Sequence, residues 1–195
     1  MAIVQHAYNV LIVTSADKFY EQLTPILPES VIKPVTAVKS VNEAQRKLAD
    51  RTYDLIIINT PLSDDFGVRF AIDVSTSGSS VAMLLVKSEI YDAVYDKVYE
   101  SGVFVVRKPT SASVMQQAFD WLIAMRERLR KLEKKSVSLQ EKMDEIKLVN
   151  RAKWVLITNL NMPEDAAHRY IEKQAMDRCV SRRTIAEDIL RTYKE

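Results

Sequence analysis

The sequence predicts an α/β fold, a doubly wound five-stranded parallel sheet, followed by a long coiled-coil helix and a three-helix C-terminal domain. Short apolar runs alternate with segments of helical spacing over about 120 residues, as expected when helices cover both faces of a parallel sheet. A charged stretch without Gly or Pro then carries apolar residues at coiled-coil spacing. Beyond it, helical spacing resumes after a break at Pro163.

The strands are predicted from runs that are apolar almost throughout, which is typical of strands buried on both faces of a parallel sheet. The short run Val35–Val38 could be an edge strand. In such a sheet the loops at the carboxyl ends of the strands form the usual site. The predicted strands are Asn9–Thr14, Val35–Val38, Ile56–Asn59, Val81–Val86 and Val103–Arg107.

Segments with helical spacing separate these strands. Asp17 could cap the first helix, and Ser40 or Asn42 could cap the second, because their side chains accept hydrogen bonds from the free N–H groups of a first turn. The predicted helices are Asp17–Leu27, Val41–Asp50, Phe66–Ser75, Ile90–Glu100 and a last one from Ala112 onward.

The stretch from about Asp120 to Ile157 is predicted to be one helix that pairs with a second copy of the chain. Stepping alternately by three and four residues from Leu122 gives nine positions, of which seven are apolar. A single solvated helix joining two domains is the alternative, but it would leave this seam uncovered. The polar residues Ser136 and Asn150 at a positions favour a parallel homodimer. The predicted dimer seam consists of Leu122, Met125, Leu129, Leu132, Leu139, Met143, Ile146 and Asn150.

Composition limits the partners and the compartment. Hydrophobic residues make up 47% of the chain, enough for a core, while a net charge of +2 gives no field that would by itself indicate nucleic acid. The single Cys179 excludes an internal disulfide framework and a Cys-based zinc site. No apolar run approaches the ~18 residues of a membrane span, and no signal peptide is visible, so a cytoplasmic protein without a membrane partner is expected.

The segment from Arg151 to Glu195 is predicted to hold three helices around one core. The long helix continues to about Leu160, and Pro163 starts a second helix that ends near Arg178. The third helix opens at Ser181 or at Thr184, where Glu187 could complete a capping box. The predicted core residues are Val155, Leu156, Leu160, Ala166, Tyr170, Ile171, Ala175, Met176, Ile185, Ile189 and Leu190.

Four N-terminal segments have the order and spacing of a known family. They are NVLIVT at Asn9–Thr14, YDLIIIN at Tyr53–Asn59, PLSDDFG at Pro61–Gly67, and Lys108 with Pro109 after the fifth strand. Together they resemble the receiver domain of bacterial response regulators, over residues 1–121. The resemblance implies phosphoryl transfer to an aspartate at the end of the third strand. A pair of acids after the first strand would hold Mg²⁺, a hydroxyl after the fourth would respond to the phosphoryl group, and a lysine after the fifth would bind that group.

The residues at these positions do not support that chemistry. Thr14 and Ser15 stand where the two acids are expected, Asn59 at the acceptor, and Val86 where a hydroxyl is expected; only Lys108 is retained. An amide cannot form an acyl phosphate, and Mg²⁺ requires hard, preferably charged, oxygen ligands. The sequence therefore indicates a pseudo-receiver, a degenerate phosphorylation pocket with no metal or other cofactor.

The role of such a pseudo-receiver is left open by its sequence. It could be a dimerisation scaffold, or a sensor that binds a regulatory protein or a small ligand on the same face. Lys108 with the two hydroxyls could hold a phosphate or carboxylate, or it could extend into solvent. Asp17, Asp64 and Asp65 lie near in sequence and could offer carboxylates, or could be solvated loop acids.

A second resemblance covers residues 136–195 and overlaps the end of the predicted coiled coil at 122–150. It is carried by Arg151-Ala-Lys with Leu156, the Pro163–Ala166 run with Tyr170, Ala175-Met176, and the Ile185–Leu190 ending. This combination resembles the ANTAR domain of transcription antitermination regulators. The resemblance implies dimers that bind paired hairpins in nascent mRNA and prevent a terminator from forming. Trp154 stands where a small residue is usual.

Basic residues of this tail are the predicted RNA contacts. Arg169 and Lys173 lie four residues apart and share a helix face, while Arg182 and Arg183 start the last helix, where backbone N–H groups favour anions. Tyr170 is expected in the core rather than as a stacking platform. The predicted RNA-binding residues are Lys153, Arg169, Lys173, Arg182 and Arg183.

Two other classes of function are compatible with the sequence. Arg182, Arg183 and Thr184 could serve at the start of a DNA-recognition helix, which would make the chain a DNA-binding response regulator. Alternatively, the chain could be a coiled-coil protein-interaction adaptor that binds no nucleic acid. An enzyme is not indicated, because the sequence contains no nucleophile–base pair and no Gly-rich phosphate loop.

Overall fold

A computed structural model describes residues 7–27 and 32–193 of the chain. The chain forms two compact units, residues 1–131 and 132–195. The domain boundaries predicted from the sequence, 1–121, 122–150 and 136–195, remain predictions.

The first unit contains the predicted five-stranded sheet. All neighbouring strands pair in parallel, in the order β2-β1-β3-β4-β5, so β2 is an edge strand as expected. The order places β1 and β3 side by side, which brings the ends of these two strands together. The strands are β1 Tyr8–Thr14, β2 Ile32–Val38, β3 Leu55–Asn59, β4 Val81–Lys87 and β5 Phe104–Lys108.

Seven α-helices are seen in the described residues, five of them beginning in the first unit. Short 3₁₀ turns at Thr24–Ile26, Ser88–Ile90 and Tyr99–Ser101 occupy parts of what the sequence predicted as continuous helix. The helices are α1 Asp17–Leu23, α2 Val41–Asp50, α3 Val68–Ser77, α4 Tyr91–Val98, α5 Ala112–Leu160, α6 Glu164–Asp177 and α7 Arg182–Thr192.

The first residues of α1, α2 and α3 test the helix caps and starts predicted from the sequence. Ser40 caps α2, its hydroxyl accepting from the backbone N–H of Glu43 at 3.2 Å. The prediction that Asp17 caps α1 is wrong, because α1 has no side-chain cap and the Asp17 carboxylate pairs with Lys39 at 2.9 Å. The predicted start of α3 at Phe66 is also wrong, since the next residue, Gly67, has φ +82°, a left-handed conformation that a helix cannot include.

The end of the chain has two left-handed turns. Asn161 has φ 49° and ends α5 just before Pro163, and Cys179 has φ 52° in the turn after α6. The Cys179 side chain is exposed. Ser181 then caps α7 by accepting from the N–H of Thr184 at 3.1 Å, so the helix opens at the earlier of its two predicted starts.

Both faces of the sheet are buried. One face packs on α2, α3 and α4 through residues such as Ile58 and Leu84. The opposite face packs on α1 and the first part of α5, where Phe119 and Leu122 are fully buried. Alternate residues of each strand serve opposite faces, which is why the strands are apolar almost throughout.

Polar contacts continue the attachment of α5 beyond this apolar face. Arg126 is 8% exposed, and its Nε donates to Asp54 Oδ1 at 2.8 Å. The other Asp54 oxygen accepts from the backbone N–H of Asn9 at 2.9 Å. Tyr8 donates its hydroxyl to Glu127 at 2.8 Å, and burial together with this hydrogen bond raises the pKa of Tyr8 to about 12.

The second unit packs the end of α5 against α6 and α7. Leu156, Ile171, Ala175, Ile185 and Ile189 are buried as predicted. Four predicted core residues are not in this core: Ala166 is only partly buried, and Leu160, Tyr170 and Met176 are 47%, 41% and 77% exposed. The core face of α6 follows the four-residue steps Ala167, Ile171 and Ala175, so Ala167 is buried in preference to Ala166, and Tyr170 and Met176 point away.

Although α5 runs for 49 residues, it is rich in charge. In residues 7–27 and 32–193 no helix is both long and apolar enough to cross a membrane.

Replacing Arg126 with Met is expected to lower the free energy of unfolding of the first unit by about 2 kcal/mol, because Asp54, whose side chain is only 24% exposed, would lose its cation partner. Chemical denaturation of both proteins measures the difference. Lys39→Met, which removes a cation from the exposed pair with Asp17, is the control and should change stability little. Equal effects of the two substitutions would contradict the importance of the buried pair.

Candidate functional site

The carboxyl edge of the sheet brings three of the predicted pocket residues into one chain of hydrogen bonds. Lys108 Nζ donates to Asn59 Oδ1 at 2.7 Å, and Asn59 Nδ2 donates to Thr14 Oγ1 at 3.0 Å. Lys108 also donates to the backbone carbonyl of Thr60. The parallel order β1-β3-β4-β5 brings these three side chains together, because they stand at the carboxyl ends of β1, β3 and β5.

The chemistry of the three side chains fixes the direction of these bonds. A lysine ammonium only donates, so the Asn59 oxygen must face Lys108 and its amide nitrogen must face Thr14. Burial lowers the pKa of Lys108 below its ordinary value, and the charge of Lys87 lowers it further. Every acceptor in this network is an uncharged oxygen, from Thr14, Asn59 or the backbone of Thr60.

The other two pocket positions are placed differently. Ser15 donates its hydroxyl to the backbone carbonyl of Pro61 at 3.0 Å, so it lies beside the network without joining it. Val86 is fully buried in the core on the α3 and α4 face.

The three neighbouring acids all have structural contacts. Asp17 pairs with Lys39, and Asp65 accepts from the N–H of Gly67 at 2.5 Å. Asp64 accepts from the N–H groups of Val41 and Asn42 at 2.9 and 3.0 Å, so it binds the start of α2 from another loop, and these bonds lower its pKa. Asp64 is therefore a structural acid rather than a freely solvated one.

These residues do not fit a receiver's Mg²⁺ site. The groups at the carboxyl edge are a threonine hydroxyl, an amide and a lysine ammonium, and the Thr14 oxygen already accepts from Asn59 and from the N–H of Ala16. Protein sites for Mg²⁺ use one or two carboxylates, and these positions supply none. Within the described ranges no cluster of three or more His, Cys, Asp or Glu side chains is placed to hold a metal ion.

In the second unit, three of the five predicted RNA-binding residues are engaged with carboxylates. Lys153 donates to Glu164 at 3.1 Å, and its side chain is only 17% exposed. Arg183 pairs with Glu187 at 3.0 Å along α7. Arg182 lies between two glutamates, 3.5 Å from Glu145 and 3.7 Å from Glu172.

The remaining two basic residues, Arg169 and Lys173, differ from these. Both are exposed on the side of α6 opposite its core, and neither forms a salt bridge with any residue that the structure describes. Tyr170 is exposed next to them on the same helix, and Met176 lies one turn beyond Lys173. We call Arg169, Tyr170, Lys173 and Met176 the outer face of α6. The sequence analysis placed Tyr170 in the core, because its spacing alone also suits a core position.

The predicted dimer seam divides between two environments. Leu122 is 1% exposed in the core of the first unit, and Leu129 packs against that core, so the assignment of Leu122 to the seam is wrong. Helical spacing does not distinguish a stripe that covers the chain's own sheet from one that covers a partner. From Leu132 onward the apolar seam residues are exposed, and so is Asn150.

The exposed part of the seam is continued by Trp154, which is 69% exposed. Trp154 lies eleven residues after Met143 and four after Asn150, which places it on nearly the same side of a straight helix. We call the exposed residues of this side the α5 stripe. They are Leu132, Leu139, Met143, Ile146 and Trp154, each more than 50% exposed.

Comparisons with known proteins identify both parts. Residues 138–190 match the ANTAR domain, so the chain combines a receiver-like fold with an ANTAR domain. The transcriptional regulatory protein PdtaR of Mycobacterium tuberculosis is 27% identical over 140 residues, which are 71% of this chain and 68% of PdtaR. Both resemblances noted in the sequence are thereby confirmed.

Solved receiver domains share the fold of the first unit. The signal receiver domain of an HD domain-containing protein from Pseudomonas fluorescens has a TM-score of 0.59 and 19% identity, covering 67% of this chain and 97% of that one. A two-component response regulator from Clostridium difficile has a TM-score of 0.52 and 19% identity, covering 60% and 96%. At these identities the likeness describes the fold alone.

We expect the chain to acquire no phosphoryl group when incubated with a small acyl phosphate and Mg²⁺, because Asn59 offers no carboxylate and the pocket holds no ligands for the metal. Intact-protein mass spectrometry checks this, and a typical receiver domain treated in parallel is the control. A phosphorylated peptide containing Asp64 or Asp65 would contradict the structural roles given to these acids.

Proposed function

We propose that this chain is a transcription antitermination regulator that binds hairpins of nascent mRNA as a homodimer through its C-terminal unit. The match of residues 138–190 to the ANTAR domain carries the proposal. The similarity to PdtaR, a transcriptional regulatory protein, supports it.

The outer face of α6 is proposed as the RNA-contacting surface. Its two cations, Arg169 and Lys173, can neutralise phosphates without first losing a carboxylate partner among the described residues. Tyr170 adds an exposed ring on which an unpaired loop base can stack. Hairpin loops offer phosphates and unpaired bases together, whereas a DNA duplex keeps its bases stacked inside.

Lys153, Arg182 and Arg183 take a secondary part in this proposal. Each would have to exchange a carboxylate for a phosphate, so the net gain is smaller than for an unpaired cation. Glutamates beside Arg182 also repel a phosphate backbone. These residues are proposed to border the RNA surface rather than to form its centre.

Pairing of two chains through the α5 stripe would place two such surfaces on one dimer. Exposed Leu, Met, Ile and Trp side chains on one side of a helix are covered at little cost by an identical stripe. Two hairpins on one RNA can then be bound bivalently, which raises affinity by about 10²–10⁴ over a single site. With the phosphorylation pocket degenerate, control is proposed to come from a partner protein, a ligand or the amount of the chain.

The double substitution Arg169→Ala with Lys173→Ala is expected to weaken RNA binding by tenfold or more, and to reduce the slope of log affinity against log salt by about two. The RNA carries two adjacent hairpins and is selected on the protein from a pool with randomised loops. Fluorescence anisotropy across a salt series measures affinity. A single hairpin and a DNA duplex serve as competitors.

Arg178→Ala is the matched control, because Arg178 is an exposed arginine at the end of α6 that pairs with Asp188 at 2.9 Å. It should leave the affinity nearly unchanged. Preference for the duplex would favour a DNA-binding regulator, and absence of all nucleic-acid binding would favour a protein adaptor. Either result would refute the proposed function.

Ile146→Asp is expected to convert a dimer into a monomer at micromolar concentration, because it places a charge inside the covered stripe. Sedimentation equilibrium gives the mass directly. Val137→Asp is the matched control, since Val137 is 58% exposed on the same helix but lies outside the stripe. A monomeric wild-type chain, or equal dissociation by both variants, would contradict pairing through this stripe.

A further inference from the structure

A cavity of about 430 Å³ opens between α1 and α5, beside the carboxyl edge of the sheet. It is formed where the side chains of α1, the end of β4 and the first turn of α5 leave a space. Its walls are mainly apolar, and it lies within the size range of small-molecule sites. The wall residues that matter here are Phe19, Leu23, Ile26, Leu85 and Met115.

The charged residue that lines the cavity is Lys108, and it marks the polar end. The ammonium of Lys108 contacts the neutral oxygens of Asn59 and Thr60, which do not line the cavity themselves. Among the described residues no carboxylate contacts this ammonium. The positive end of α5 lies at the same place, because α5 begins at Ala112, which also lines the cavity.

An anion at this end would therefore give Lys108 a charge partner that the described residues do not supply. A single ammonium matches a single negative charge, and the other polar side chains that line the cavity, Gln22 and Thr110, are neutral. The complement of the cavity is a molecule with one carboxylate and a short apolar body.

We propose that this cavity binds a small amphipathic monocarboxylate, with its apolar body between α1 and α5 and its carboxylate on Lys108. The carboxylate takes the place of Asn59 as an acceptor for Lys108. The ligand then reaches the same lysine that a phosphoryl group would reach in a receiver that can be phosphorylated. This site concerns the first unit alone and does not depend on RNA binding by the second.

The test uses octanoate as the probe on the full chain, with the Met115 methyl group observed by NMR and affinity measured by calorimetry. Octanoate is expected to bind, and shorter acids to bind less tightly, by about threefold to fourfold for each methylene removed. Octanamide, which has the same body without the charge, should bind about tenfold more weakly.

Two variants separate the charge from the apolar walls. Lys108→Met should remove the difference in affinity between octanoate and octanamide. Lys87→Met is its control, because Lys87 is a neighbouring exposed lysine that does not line the cavity. This control should keep the difference in affinity. Ala112→Trp places a large ring at the exposed mouth of the cavity and should weaken both probes.

The proposal is overturned if millimolar octanoate leaves the Met115 signal unchanged, or if octanoate and octanamide bind wild type equally. It is also overturned if folded Lys108→Met still prefers the acid. Should Lys108→Met fail to fold, the octanoate–octanamide pair on wild type decides the question. RNA affinity is not measured in this test. Failure to bind octanoate would therefore leave the proposed function unaffected, and failure to bind RNA would leave the proposed cavity site unaffected.

Discussion

The buried pair between Arg126 and Asp54 is the contact on which the course of α5 depends. Apolar packing holds α5 to the first unit from Met115 to Leu129, and Arg126 adds a polar contact within this stretch. Asp54 also binds the backbone of Asn9 at the start of β1, so one carboxylate joins the helix to two strands. Loss of one partner from such a mostly buried pair costs more than loss of one partner from an exposed pair.

The carboxyl edge of the sheet shows how a phosphorylation pocket can lose its chemistry while the fold persists. The strands are held by apolar side chains on both faces, and of the five pocket residues only Val86 belongs to that apolar core. Replacing acids by Thr14 and Asn59 removes the repulsion that a metal would otherwise relieve. The lysine then finds its partner in an amide, and the polar groups remain satisfied without metal or phosphate.

Sequence reasoning succeeds here where one physical effect dominates. The strands could be located because burial on both faces demands apolar runs, and Ser40 could be assigned because a capping hydroxyl acts locally. Leu122 and Tyr170 were misassigned because helical spacing defines a stripe but not what covers it. The partner of Lys153 could not be foreseen, since Glu164 comes near only through the turn at Asn161. The role of Asp64 at the start of α2 likewise depends on two loops meeting in space.

The turn at Cys179 has a practical consequence for studying the dimer. It is the only cysteine of the chain, and its thiol is exposed just after α6. A thiol-reactive fluorophore therefore attaches once per chain without any substitution, in the turn that follows the helix carrying the outer face. Mixing chains labelled with donor and acceptor dyes turns chain pairing into an energy-transfer signal that can be followed in real time while RNA or octanoate is added.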